Sequence, residues 1–389
     1  MKRWTDIFKD ELKLLIKDKS ILLTCLVAPI LYALFIGSIY MEKEVSDIPL
    51  AVVDMDHSSL SRKISQLVDS SEKVAVTGHF SNMEEAMYYF NDLKVQGILL
   101  IPRDFQKKAM NLDEAKVELI LNNTKFLTSN ELNKGVQQVL LTVAGGVRLQ
   151  YFISNKVPVE LAKQQAQPIL PVIKSIYNAT NNYGDYLLPI LLILILQQTL
   201  VIGFGQSAVH EFKHGLLTNL REVDFHSFFK VFSAKSFYYM VLYSVYFFIF
   251  FKVIFQHYNL TFKGPLLLHM ILGILFLLVV VMYVIFLSSF FKTSIGWTEV
   301  MAFSTYPLFL VSGYSWPVEA MPKFLQFFTS LLPATPYYKM FNMLSVQGAA
   351  FKDIRTDFIH LLLLVLFGYI LLYIRFKYMR YKALRSDAK

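Results

Sequence analysis

The stretch Ile21 to Met41, ILLTCLVAPILYALFIGSIYM, runs for 21 residues without one charged side chain. A helix needs about 20 mostly apolar residues to cross a bilayer, so this stretch is long enough to do so. It is too long for the apolar core of a signal peptide, and the following MEKEVSD has no small-residue cleavage site, so it reads as a retained span. Five further runs follow: Tyr186–Gln206, Ser236–Phe251, Gly264–Phe291, about Ile295 to Gly313, and Phe358–Ile374. The third is short at 16 residues, but Lys235 and Lys252 flank it, and long lysine stems snorkel to the interface. The pattern predicts an α-helical polytopic membrane protein with six transmembrane helices per chain.

Composition agrees with that reading. The chain has 389 residues, a mean hydropathy of +0.44 and 17% charged residues, against roughly 25% in soluble proteins. The net charge of +9 does not call for nucleic acid, because the basic residues crowd the ends and loops beside apolar runs. Cys25 is the only cysteine and lies in the first span. An external domain would therefore be held by its core and not by a disulfide.

An even number of spans puts both termini on one side. If that side is the cytoplasm, segments 1–20, 207–235, 292–294 and 375–389 hold 17 Lys and Arg, and the outer loops 252–263 and 314–357 hold six. The positive-inside rule favours this orientation, with residues 42–185 left out because long domains cross regardless of charge.

Residues 1–20, MKRWTDIFKDELKLLIKDKS, place Trp4, Ile7, Phe8, Leu12, Leu15 and Ile16 near helical spacing with lysines and acids between, the pattern of an amphipathic helix lying in the interface. Residues 42–185 are too polar to insert. They alternate IPLAVVDM, VAVTGHF, VQGILLIP and KVELILNN with helical stretches, which predicts an α/β extracytoplasmic domain inserted between helices one and two. A long helical segment over about 130–165 would form its stalk. The basic stretch 375–389 reads as a cytoplasmic tail.

Candidate chemistry is sparse. No glycine is followed by lysine, so the chain has no G-x-x-x-x-G-K-[ST] phosphate loop and does not hydrolyse ATP by itself. DMDHSS (Asp54 to Ser59) is read as a turn with Asp56 or Ser58 capping the next helix; a metal site is the other reading. Within the spans, Glu299 and His269 fall near interfaces. Gln197 and Gln198 either bond between helices or line a substrate path. The segment VHEFKHGLLTNLREVDFHSFFK (Val209 to Lys230) is either a solvated loop with a helix or a helix presented to a cytoplasmic partner. No catalytic or metal-ligating set can be assembled.

The order of parts resembles the ABC-two-type exporter permeases, in particular the bacterial subgroup with a large extracytoplasmic domain between spans one and two. The likeness covers essentially the whole chain. It rests on IPRDFQKKA (Ile101 to Ala109), VELILNNTKFLTSN (Val117 to Asn130), IYNATNNYGDYLLP (Ile176 to Pro189), HEFKHG (His210 to Gly215) and SGYSWPVEAMPKFLQ (Ser312 to Gln326). In such permeases the segment like HEFKHG docks onto a separate ATP-hydrolysing subunit. The resemblance therefore implies ATPase-coupling roles for Glu211, Lys213 and Gly215; Glu211 and Gly215 match the family pattern, whereas His210, Phe212 and Leu216 depart from it. It also implies that residues 314–357 form a re-entrant outer segment before the sixth span. There Gly313, Pro317, Glu319 and Pro322 would close the outer end of a translocation path.

The resemblance implies a permease of the bacterial inner membrane that exports an amphipathic, lipid-like or drug-like substrate. Its partners would be two cytoplasmic ABC ATPase subunits, a second permease copy or paralogue, membrane lipids, and a periplasmic or cell-surface acceptor protein. ATP and Mg2+ would bind to the ATPase, and no cofactor to this chain. An ion-coupled carrier, or a sensor or scaffold with a ligand-binding ectodomain, are the alternatives from other classes.

Overall fold

A computed structural model describes residues 3–166, 176–178, 182–214 and 223–385. The chain divides into two compact units, one made of Met1–Lys43 with Ser175–Lys389 and the other of Glu44–Lys174.

The first unit begins with α1 (Trp4–Lys17), which buries Ile7, Glu11 and Leu15 on one face. Positions spaced by four share a helix face, so a carboxylate sits in the middle of an otherwise apolar stripe. Asp18 ends α1 and caps α2 (Lys19–Ile39), its carboxylate accepting from the backbone N–H of Ser20 at 2.9 Å and Ile21 at 3.3 Å. Within α2 the segment Leu23–Val27 winds as a π-turn just before Pro29. Proline has no N–H and its ring crowds the carbonyl four residues earlier, and an extra residue in the turn relieves that conflict.

The second unit runs β1 (Ile48–Asp54), α3 (Ser59–Asp69), β2 (Val74–Phe80), α4 (Met83–Asn91), β3 (Gly97–Ile101), α5 (Phe105–Met110), β4 (Glu118–Leu121), α6 (Phe126–Ser154) and α7 (Val159–Ala166). Its sheet has the order β2-β1-β3-β4, parallel except for β4, which runs antiparallel to β3. Central β1 is buried on both faces, as its unbroken PLAVV run requires. Leu50 and Val52 join Ile64, Val68, Leu132 and Val136 on one side, while Ala51 and Val53 meet Ala86 on the other. The helical stretch expected over 130–165 is two helices, because Lys156 takes a left-handed φ of 62° and Pro158 follows.

DMDHSS forms a turn. The Asp54 carboxylate accepts from the N–H of Asp56 and His57, both at 3.0 Å, and Ser58 caps α3. Asp56 instead caps α5, accepting from Phe105 and Gln106 N–H at 2.9 and 3.0 Å. The described residues hold no group of three metal-ligating side chains.

The first unit resumes with α8 (Tyr183–His214), α9 (Phe225–His257), α10 (Leu266–Ser288), α11 (Ser294–Val311), α12 (Lys323–Ser330), α13 (Ala334–Ser345) and α14 (Arg355–Arg385). By length and composition, α2, α8, α9, α10 and α14 can each cross a membrane. Helix α11, where a fifth span was expected, is 18 residues long and falls outside that set, since Thr298, Glu299, Ser304, Thr305 and Pro307 dilute it. In the most apolar stretch of α8, 72% of residues are buried, against 22% in α14, which makes α8 the central post of the bundle.

Helix boundaries differ from the apolar runs. Helix α8 continues past Gln206 to His214, and α9 starts at Phe225, so residues 207–214 and 225–235 of the expected coupling segment belong to the ends of two long helices. The apparently short third run lies within the 33-residue α9. Hydrogen bonding carries a helix beyond the point where hydrophobicity fades.

Two glycines let neighbours close on α8. A Cβ at Gly203 would strike the Cys25 sulfur of α2, and one at Gly205 would strike the Trp297 indole of α11. Trp297 is fully buried and its Nε1 donates to the Val201 and Ile202 carbonyls at 3.1 and 3.3 Å. Gly205→Ala should therefore cost about 1–3 kcal/mol through overpacking. Gly146→Ala, in α6 where an added Cβ meets open space, should be neutral or stabilising by up to ~1 kcal/mol. Thermal unfolding of both purified variants checks the contrast; equal midpoints would overturn it.

In the α/β unit, burial works against the charge of Glu131. The hydrogen bonds and charges of Lys134, at 2.7 Å, and Lys73 outweigh it and hold the carboxyl below the usual glutamate range. A lowered folded pKa stabilises above the ordinary value of about 4.3. That contribution is lost as pH falls through the lowered value. Glu131→Gln should thus flatten the acid side of the unit's stability profile, followed by limited proteolysis between about pH 5 and pH 3; an unaltered profile would refute the assignment.

Candidate functional site

Helix α1, the last turns of α8 and the first turns of α9 meet around a buried cluster of charges. Lys235 Nζ lies 2.5 Å from Glu11 Oε2 and 3.1 Å from Glu211 Oε2. The other Glu11 oxygen accepts from Ser207 Oγ at 2.5 Å and from Tyr239 OH at 2.8 Å. Glu11, Ser207 and Tyr239 have no measurable exposure, and Glu211 and Lys235 retain 4% and 5%. Aromatic contacts hold α1 along α9, with Trp4 on Phe237 at 5.3 Å and Phe8 on Tyr238 at 5.9 Å between ring centres.

These positions revise two expectations. Lys235 does not snorkel outward but turns in between two carboxylates. Glu211 is not displayed on a solvated face: it is buried, with Lys235 Nζ 3.1 Å from its carboxylate. Lys213, two residues on, is exposed. Gly215 lies outside the described residues. The sequence carried a signal for Glu11 that composition obscured, namely an acid at the centre of the Ile7–Glu11–Leu15 stripe.

Nearer mid-bundle, polar side chains tie helices together. Gln197 accepts from Tyr338 OH at 3.0 Å, joining α8 to α13, and Gln198 donates to the Met301 carbonyl at 2.5 Å, joining α8 to α11. Both bonds are interhelical, one of the two expected readings. Glu299 is exposed. Its neighbour Thr298 instead accepts from Gln206 Nε2 at 2.7 Å, and the same nitrogen bonds Ser20 at 3.1 Å.

At the far end of α8 the chain breaks as its glycine and prolines dictate. Gly313 takes φ +88°, which only glycine adopts without strain, and a Cβ there would also meet Val318. Pro317 leads into a single 3₁₀ turn containing Glu319, and Pro322 precedes α12. Tyr186 and Tyr314 stack at 5.0 Å, each hydroxyl donating to the other's backbone carbonyl. Beside them opens a cavity of about 560 Å3, lined among others by Gly313, Glu319, Lys339, Asp357 and His360. An ion pair between Lys339 and Asp357, at 3.1 Å, crosses its wall. A second cavity, about 690 Å3 and almost wholly apolar, lies between α9, α10 and α14, lined by residues such as Phe237, Met240, Phe248, Ile274 and Leu372.

The family model of the ABC-2 family transporter proteins matches residues 19–376. The chain belongs to that family. It is thus a multi-pass membrane protein and the permease component of an ABC transporter, a component that works with an ABC ATPase subunit. A search of curated proteins finds no match. The matched range starts at α2, so Glu11 and the rest of α1 lie outside it, whereas Ser207, Glu211, Lys235 and Tyr239 lie within.

Removing one member of a buried ion cluster leaves the remainder uncompensated, at about 3–5 kcal/mol. In this ABC-2 permease, Lys235→Met should lower the thermal unfolding midpoint markedly. Neutralising all three groups together, with Glu11→Gln and Glu211→Gln added, should recover most of the loss. A single variant as stable as wild type, measured in the same detergent, would contradict this account of the cluster.

Proposed function

We propose that the chain is the membrane subunit of an ATP-driven exporter in a bacterial inner membrane, with both termini cytoplasmic and α11 as a sixth span. In this reading the α/β unit faces outward, as in the subgroup with a large domain between the first two spans. Two ATPase subunits bind ATP and Mg2+, and a second permease copy or paralogue completes the path. The cargo is an amphipathic or lipid-like molecule, handed to an acceptor outside.

One observation carries the mechanism: the buried contact of Lys235 with Glu11 and Glu211 ties α1 to both α8 and α9. A push on the exposed side of α1 or on the Lys213 turn cannot be absorbed locally, because separating these charges would strand them in a low-dielectric interior. The push therefore passes along α8, the central post, toward Tyr186 and the Gly313–Pro322 segment. We assign that segment the part of outer gate, since non-helical backbone at membrane depth needs cover from protein or water. The apolar groove between α9, α10 and α14 supports an amphipathic cargo reaching the bundle from the lipid side.

Purification from the host in mild detergent tests the reading. An ATPase should co-purify with the wild-type chain. Recovery should fall about tenfold, equal to 1.4 kcal/mol, when exposed cations facing the partner are reversed in Lys13→Glu with Lys213→Glu, with the melting temperature unchanged. Lys235→Met should retain the ATPase yet lose ATP-dependent transport. Full transport by a preparation free of any ATPase would sink the exporter reading.

A further inference from the structure

The α/β unit holds an open cavity of about 630 Å3 between α3, α5, α7 and the second half of α6. Small-molecule sites span roughly 300–1,000 Å3, so its size is that of a ligand site. Leu60, Ile64, Phe105 and Val147 form a buried apolar floor. Leu140, Leu141, Ala144 and Phe152 continue the lining toward solvent. Three side chains that reach the cavity are charged or amide-bearing: Arg148, Asp113 and Gln165. Arg148 is exposed and makes no hydrogen bond or ion pair with any described residue. Asp113 stands on the lip without an ion pair to it.

On α6, Leu141, Ala144, Arg148 and Phe152 follow one another at three- and four-residue intervals, so the cation is set into a continuous apolar track. A mostly apolar trough whose one lining cation, Arg148, is unpaired among the described residues matches a molecule that has an alkyl tail and an anionic head. A protein helix is a poor occupant, because at about 10 Å across little more than one turn of it would fit this volume. An extended alkyl chain can lie along the floor with its head at the rim, where a planar guanidinium binds a carboxylate through two parallel hydrogen bonds.

We propose that this cavity binds a single-chain amphiphile with a carboxylate head, of the fatty-acid class, its tail over Leu60, Ile64, Phe105 and Val147 and its head on Arg148. The inference stands on the cavity and does not depend on the bound molecule being the one the bundle moves. Because each buried methylene strengthens binding about fourfold, affinity should rise by roughly two orders of magnitude from an eight- to a twelve-carbon fatty acid.

The test uses the full chain in a peptide-stabilised disc, a sixteen-carbon fatty acid carrying a mid-chain diazirine, and peptide mapping after irradiation. Labelling is expected in peptides containing Leu60 to Ile64 and Leu140 to Phe152, with labelling of the spans as internal reference. Ala144→Trp, which fills the trough, should cut label in those peptides at least tenfold and leave the spans unchanged. Arg148→Glu should weaken labelling by the carboxylate probe about tenfold but spare the corresponding alcohol. Competition by unlabelled fatty acids should strengthen with chain length as above. Should Ala144→Trp loosen the unit, as limited proteolysis would show, the Arg148→Glu arm decides by itself. Absence of label from these peptides at saturating probe, or label that neither substitution alters, overturns the proposal.

Discussion

Lys235 lies between Glu11 and Glu211, and the packing at that end of the bundle follows from the cost of separating them. An isolated charge in a low-dielectric interior is expensive, and a partner repays that cost only at hydrogen-bonding distance with its remaining valences filled. Here Ser207 and Tyr239 fill them for Glu11. The consequence is geometric more than energetic. A contact that tolerates little separation links three helices from different parts of the chain, so the amphipathic α1 behaves as part of the bundle and not as a loose interfacial anchor.

From that junction, α8 carries structure outward by close contact. Gly203 and Gly205 admit Cys25 and Trp297 to its surface, since without a hydrophobic drive between apolar helices in lipid, close packing and interhelical bonds must hold them together. Tyrosines do the same for α2 and α9. Tyr246 OH donates to the Leu26 carbonyl at 2.9 Å and Tyr258 OH to the Leu34 carbonyl at 3.0 Å. Leu26 lies in the π-turn before Pro29, where the regular ladder is disturbed, so its carbonyl is suited to a partner from outside the helix.

At the opposite end, the short helices between α11 and α14 meet the demand that a broken backbone remain satisfied. Helix α12 ends with carbonyls that no intrahelical N–H can reach. The Ser330 carbonyl instead lies 2.7 Å from His360 Nε2, and the Leu331 carbonyl accepts from Tyr283 OH at 3.0 Å. The donors come from α14 and α10, so the segment is pinned to two long helices. Together with the Tyr186–Tyr314 clasp, this leaves the Gly313 turn with its left-handed φ as a natural place for backbone movement, a property on which the proposed gating relies.

The amino-acid sequence by itself determined that the chain belongs in a membrane, because apolar runs of twenty residues have no other stable solvent and their length is readable one residue at a time. It also determined the break at Gly313, Pro317 and Pro322, since φ and the missing N–H are properties of single residues. The tertiary structure decided where helices truly start and stop, as with α9 reaching back to Phe225, because hydrogen bonding extends a helix through polar residues once neighbours shelter them. It decided too that Lys235 turns inward and Glu11 is buried. Glu11, the Ser207/Glu211 pair and the Lys235/Tyr239 pair come from three helices far apart along the chain, and neither hydropathy nor periodicity encodes which charges will meet once helices pack. A lysine flanking an apolar run has the same local sequence whether it snorkels or pairs, and only a carboxylate brought from 224 residues away distinguishes the two.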